Sequence, residues 1–200
     1  MAGGNADGAA ADEVLMLAYR DGDAGAFDRL YARHKGPVYR YLRRHAHDQA
    51  EELAQDVWMR VIHARGGYDV RAKFTTWLYT IAHNRLMDHF RARGRETARL
   101  ATADDPEDDP DAILEDQPHP DPPPDRLLER RESAARILAA LDLLPDAQRE
   151  AFVLQQEGGL SVEEIATVTG VNRETAKSRL RYALAKLRTA LADLRQEHGT

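Results

Sequence analysis

Arg173, Lys177 and Arg181 stand four residues apart near the end of this 200-residue chain, with Ser178 beside them. At helical pitch such residues share one face. A guanidinium or ammonium on that face can hold a phosphate or a base edge. Residues 172–188 hold six Lys or Arg and one acid, Glu174, although the whole chain has a formal net charge of −6. Catalytic chemistry finds no comparable support. The absence of cysteine removes thiolate nucleophiles, disulfides and thiolate zinc sites. The eight histidines are scattered, and His45-Ala-His47 has no further ligand at a convincing metal spacing. Acids are plentiful, but nothing orders two of them as an acid/base pair. No enzyme activity, metal or cofactor is expected.

The basic face needs an element to present it. Ser161 with Glu164 three residues later is a capping box, which predicts a helix from Val162. Gly170 then supplies a residue that tolerates positive φ, where that helix stops. Asn172 can cap a second helix from Arg173 to about Leu194. Ala176, Leu180, Leu184 and Leu187 form its apolar stripe. A short helix, a tight turn and a longer helix with a basic face make a helix-turn-helix, whose second helix enters a DNA major groove. The plainer alternative is an amphipathic helix pair with a solvated basic face. The six-to-one excess of base over acid favours DNA.

Charge is unevenly spread. Residues 100–125 hold ten acids, no Lys or Arg, and seven of the nine prolines. Without that segment, 28 basic residues face 24 acids. Proline and like charge both oppose a packed core, so the segment reads as an extended linker with a reach on the order of 80 Å. It serves either as a passive spacer or as an anionic strand in a basic channel of a partner. Residues 1–11 read as a frayed tail without signal-peptide features. No run of eighteen apolar residues suggests a membrane span, and the cysteine-free composition fits the cytoplasm.

The first domain, residues 12–99, reads as all helix. Val14, Leu15, Leu17 and Ala18 begin a short helix that ends near Asp21-Gly22-Asp23. Phe27, Leu30 and Tyr31 line the next, which Gly36-Pro37 is expected to break before Val38, Tyr41 and Leu42 resume. Ala50, Leu53, Ala54, Val57, Trp58, Val61 and Ile62 then keep helical spacing without a miss. The outer face of that helix shows Glu51, Glu52, Gln55, Asp56, Arg60 and His63, either a solvated face or a protein docking surface. After Gly66-Gly67 and a loop, Thr75 or Thr76 is expected to cap a helix with Phe74, Trp77, Leu78, Ile81, Ala82, Leu86 and Phe90 inward. Residues 71–99 carry seven Lys or Arg against two acids. Aromatic residues among cations suit single-stranded nucleic acid, whose bases stack while its phosphates pair. Trp77 and Phe74 belong in the core. Tyr79, Asn84 and the loop before them are better placed to touch a base.

The second domain, residues 126–194, is expected to open with an amphipathic helix through Leu144, stopped by Pro145. A helix from Asp146 to Gly158-Gly159 follows, and both support the helix-turn-helix; residues 195–200 form a tail. The fold class is therefore all-α: two small helical domains joined by an acidic Pro-rich linker, the second with a helix-turn-helix.

Four blocks, DAGAFDRLYARHKGPVYRYLRR, AEELAQDVWMRVI, AKFTTWLYTIAHNRLMDHFR and LDLLPDAQREAFVLQQEGGLSVEEIATVTGVNRETAKSRLRYALAKLR, follow one another over about two thirds of the chain. In this order they resemble the extracytoplasmic-function sigma factors, the two-domain class of bacterial sigma factor. The resemblance implies an alternative sigma factor that binds core RNA polymerase and directs promoter recognition, DNA melting and transcription initiation. It implies polymerase contacts from Glu51, Glu52, Gln55, Asp56 and Arg60. For the minus-ten element it implies Arg71, Lys73, Thr75, Tyr79, Asn84, Arg85 and His89. For the minus-thirty-five element it implies Arg173, Glu174, Lys177, Ser178, Arg181 and Tyr182, with Arg149 a candidate phosphate contact. A dedicated anti-sigma factor is a further candidate partner. The rivals are an autonomous helix-turn-helix regulator and an adaptor that docks on polymerase without reading DNA.

Overall fold

The computed structural model describes residues 10–100 and 136–197, with side chains for 10–94 and 136–190. The linker beyond residue 100, the expected start of the second domain at Arg126 and most of the N-terminal tail lie outside the described residues. Among the described residues every regular element is a helix.

Helix α1 (Asp12–Arg20) places Asp12 and Glu13 in its first turn, where carboxylates meet the unpaired amides. Asp12 also holds α2, with an ion pair to Arg33 and its Oδ2 2.7 Å from His34 Nε2. Gly22, at φ 110°, makes the turn that only glycine adopts without strain. Asp23 then caps α2 (Ala24–Ala46) by accepting the Ala26 amide at 3.3 Å.

The expected break at Gly36-Pro37 does not occur, because α2 runs through Pro37. A helix-interior proline costs about 3 kcal/mol. Val38, Tyr41 and Leu42 lie beyond it, all fully buried on the face that already buries Leu30. Each such side chain contributes about 1.5–3 kcal/mol on burial, which outweighs the proline.

A 3-10 turn (His47–Gln49) leads into α3 (Ala50–Ala64), which buries Ala50, Leu53, Val57, Trp58 and Val61 as its spacing predicts. Helix α4 (Phe74–Leu100) begins ahead of both threonines, so neither caps it. Its first amide, on Phe74, donates instead to Glu13 Oε1 of α1 at 2.7 Å. Phe74, Leu78, Ala82 and Leu86 are buried, whereas Phe90, expected inward, is exposed.

The second domain comprises α5 (helical at 136–142), α6 (Asp146–Gly158), α7 (Val162–Thr169) and α8 (Arg173–Glu197). Gly159 at φ 62° and Gly170 at φ 67° stop α6 and α7. A small cluster of Ala140, Leu141, Leu144, Ala183 and Leu187 ties α5 to α8. The larger apolar cluster continues from α1–α4 into α6, α7 and α8. The two domains are therefore docked, with α2 against α6 and α4 against α6 and α7.

Candidate nucleic-acid and protein interfaces

The helix-turn-helix is set by its caps. Ser161 Oγ accepts the Glu164 amide at 3.3 Å, and Glu164 Oε2 accepts the Ser161 amide at 2.8 Å, so the capping box is complete. Asn172 Oδ1 accepts the Thr175 amide at 2.8 Å and starts α8. Inward, α7 contributes Ile165, Ala166 and Val168, and α8 contributes Ala176, Leu180, Ala183 and Leu187. Ala183 replaces Leu184 in the expected stripe; Leu184 is displaced to the exposed side because the seven-residue step from Ala176 to Ala183 stays closer to the buried line.

With that face buried, the opposite one is left to solvent. Lys177 and Arg181 are exposed, Ser178 is half-buried, and Tyr182 is 51 % exposed. The Arg181 guanidinium lies over the Tyr182 ring at 5.1 Å from its centroid, which fixes a long flexible cation. Arg173 pairs with Glu163 of α7 and with Glu174 at 3.2 Å. Its hydrogen bond is the main reason the exposed Glu163 carboxyl lies below its usual range. Successive cations rise by about 6 Å along the axis, a spacing that suits contacts along a groove.

The residues assigned to the minus-ten element divide into three groups. Arg71 is exposed and pairs with Asp69 at 2.7 Å, and Asn84 is exposed. Arg85 and His89 lean towards α3: Arg85 Nε donates to Asp56 Oδ2 at 2.7 Å. Burial first, then Arg93 and Arg85, lower the His89 pKa. Lys73 and Tyr79 lie at the seam between the domains, and Thr75 stands in the first turn of α4 near them in sequence. Lys73 Nζ pairs with Glu164 Oε1 at 3.2 Å, and Thr75 is half-buried. Tyr79 is 0 % exposed, edge-on to Tyr41 with centroids 5.5 Å apart. Burial pushes its phenol above the usual range.

On α3, Glu51, Glu52 and Gln55 are exposed, while Asp56 is held by Arg85, and Arg60 lies 3.4 Å from Asp88. Met59 joins this face, 45 % exposed four residues beyond Gln55. Its place outside the inward-facing series Val57, Trp58, Val61 was the available signal for it.

The seam contains residues that sequence reasoning missed. Glu150 of α6 is buried; its Oε1 accepts the Tyr41 hydroxyl at 3.0 Å and lies 2.7 Å from His83 Nδ1. Burial alone would raise the Glu150 pKa, but His83, His45 and the Tyr41 hydroxyl together hold it below the usual range. Glu157 meets Arg40 at 2.8 Å. Glu164 uses Oε1 for Lys73 and the Thr76 hydroxyl and Oε2 for its own capping box. Arg149 faces the seam as well: it donates to Asp146 at 2.8 Å, to the Leu144 carbonyl and to the Arg44 carbonyl of α2. In the docked form its guanidinium is thus occupied within the protein.

Comparison with known proteins places two family models on these domains. Sigma-70 region 2 matches residues 30–96, and Sigma-70, region 4 matches residues 134–187. The RNA polymerase sigma-H factor of Pseudomonas aeruginosa is 33% identical over 190 residues, covering 93% of this chain and 96% of that protein. The ECF RNA polymerase sigma factor SigK of Mycolicibacterium vanbaalenii is 32% identical, covering 90% of this chain and 88% of its own length. The sigma factor RpoE of Bartonella quintana, solved with the anti-sigma factor NepR, has a similar fold. Its TM-score is 0.65 at 23% identity, over 83% of this chain and 96% of that one.

Proposed function

We propose, since the chain belongs to the extracytoplasmic-function family of RNA polymerase sigma factors, that it binds core polymerase and directs it to promoters as an alternative sigma factor. The observation that carries this reading is the order of the two sigma regions, one on each helical domain, with the basic face of α8 left open in the second. On this reading α8 lies in the major groove of the minus-thirty-five element. Arg173, Lys177 and Arg181 reach base edges or phosphates there, while Ser178 and Tyr182 contact the backbone. Exposed Glu51, Glu52 and Gln55, around Met59, form the polymerase-facing patch. Asn84, Arg71 and Lys73 flank a melted minus-ten strand, with Tyr79 available to it only once the seam opens. The chain supplies recognition and the polymerase supplies the chemistry, in the cytoplasm where that enzyme works. A dedicated anti-sigma factor is a further candidate partner.

The test is Lys177→Ala combined with Arg181→Ala. A side chain at a base edge is worth about 1–3 kcal/mol of discrimination, so losing two should reduce promoter selection at least about thirtyfold. Both side chains are exposed on α8, a different element from the α3 patch, so affinity for core polymerase should be unchanged. Loss of polymerase binding in this variant would contradict the division of labour. Site-specific DNA binding by the free chain, without polymerase, would favour the autonomous regulator.

A further inference from the structure

Residues 29–47, most of α2 and the start of the turn after it, hold six Lys or Arg and no acid. Three of these cations are engaged by carboxylates: Arg29 by Asp23, Arg33 by Asp12 and Arg40 by Glu157. Lys35 and Arg43 pair with no carboxylate among the described residues. They alternate with two exposed rings, so that Tyr31, Lys35, Tyr39 and Arg43 follow one another at four-residue steps. Tyr31 is 40 % exposed and Tyr39 36 %, whereas Tyr41 and Leu42 of the same helix are fully buried. We propose that this stripe is a binding site for single-stranded DNA, with bases stacked on Tyr31 and Tyr39 and phosphates held by Lys35 and Arg43.

Side chains four residues apart share one side of a helix, and each step advances about 6 Å along it. The two rings are therefore about 12 Å apart along α2. A stacked strand that rises about 3.4 Å per nucleotide crosses that interval in three or four nucleotides. Tyr31 is held ready for a base. Phe27 stacks on it with centroids 6.1 Å apart, and Trp58 meets it edge-on at 5.0 Å. A ring fixed in this way loses little freedom when a base settles on it. The Lys35 ammonium lies over the same ring, 5.7 Å from its centroid. An arriving base displaces that ammonium, whose flexible stem carries it to the neighbouring phosphate.

The interleaving selects the form of nucleic acid. Cations alone would suit a duplex, but stacking on a side chain needs the face of an unpaired base. Asp28, exposed one turn before Tyr31, ends the stripe, because a carboxylate repels phosphate. The stripe lies on a different element from Arg71, Lys73 and Asn84. It is also open while the two domains are docked, unlike Tyr79. The choice of DNA over RNA rests on the proposed function, in which the chain acts on melted promoter DNA; the stripe itself does not.

The full chain allows the test. A short oligo-deoxythymidine with iodouracil in place of thymine crosslinks under ultraviolet light to the aromatic residues its bases stack on. Mass spectrometry should place crosslinks on Tyr31 and Tyr39. Their yield, titrated with strand, reads the affinity of this face alone, whatever else on the chain binds DNA. Tyr39→Ser should weaken the binding read at Tyr31 at least about fivefold, the loss of one stacked base, and Tyr39→Phe should restore it. Lys35→Gln with Arg43→Gln should reduce the slope of log affinity against log salt by about 1.4, the share of two phosphates on a single strand. Crosslinks confined to residues 68–89 and 173–188 would overturn the site. Equal affinities of Tyr39→Ser and the parent, or an unchanged salt slope, would do the same. Tighter binding of the matching RNA strand would overturn the choice of DNA. Displacement of the strand by polyglutamate at equal charge would overturn the stacking and assign the face to an acidic polypeptide. None of these results bears on the polymerase-dependent test of Lys177 and Arg181, so the two readings fail separately.

Discussion

His45 makes the docked chain sensitive to pH by an amount the structure allows to be worked out. Its ring lies on α2, edge-on to Tyr41 with centroids 5.2 Å apart. Glu150, Arg149 and Asp146 of α6 and His83 of α4 act on it electrostatically. Burial is the main reason its pKa falls from 6.5 to about 4; Arg149 and His83 push the same way, and Glu150 and Asp146 oppose them. A histidine lowered in this way binds its proton first in the unfolded chain. The stability it permits is fully present above pH 6.5 and is lost as pH falls from there towards 4. Between pH 7.5 and 5.0 the two pKa values give a loss of about 2 kcal/mol, roughly thirtyfold in the unfolding equilibrium. Glu150, also lowered, acts in the same direction but mainly below pH 5. Urea unfolding of the parent and of His45→Gln at both pH values isolates the effect, because the other histidines are shared. The parent should lose about 2 kcal/mol more than the variant over that interval. Equal losses, within about 0.5 kcal/mol, would refute the claim that the seam buries His45 in its neutral form.

Two further perturbations test the elements that hold the interfaces. Ser161→Ala removes the Oγ that accepts the Glu164 amide and should cost about 1 kcal/mol in urea unfolding. An unchanged midpoint would mean that the box contributes nothing. Glu51→Gln with Glu52→Gln removes two exposed charges from the first turn of α3. Association with core polymerase should slow severalfold at low salt, with the difference shrinking as salt rises. An unaltered rate at low salt would remove these two residues from the docking patch.

Local rules in the sequence were sufficient where the structure is local. The inward series of α3, the capping box at Ser161 and the basic face of α8 follow from spacing alone. Local reasoning failed where distant parts of the chain decide the outcome. Pro37 reads as a breaker, but Val38, Tyr41 and Leu42 are buried firmly enough to carry α2 through it. Thr75 and Thr76 read as caps, yet the Phe74 amide is satisfied by Glu13, 61 residues away. Gly158-Gly159 reads as a helix stop. Only the second glycine serves that purpose, while the first makes room for Tyr79 of the other domain. Glu150 carries no signal of burial in its neighbours, because its partners lie on α2 and α4. The exposed polar faces of α3 and α8 were therefore readable, whereas the burial of Tyr79 and the pairing of Lys73 with Glu164 needed the docked arrangement.

Run-off transcription with purified core polymerase and this chain, on a library of promoter-like DNA, tests the central claim most directly. The account predicts initiation only when both components are present. The selected templates should share two elements about 25 base pairs apart. The Lys177→Ala, Arg181→Ala protein should lose the upstream element while still associating with polymerase. Transcripts that start equally well without the chain, or an absence of any complex with core polymerase, would contradict it.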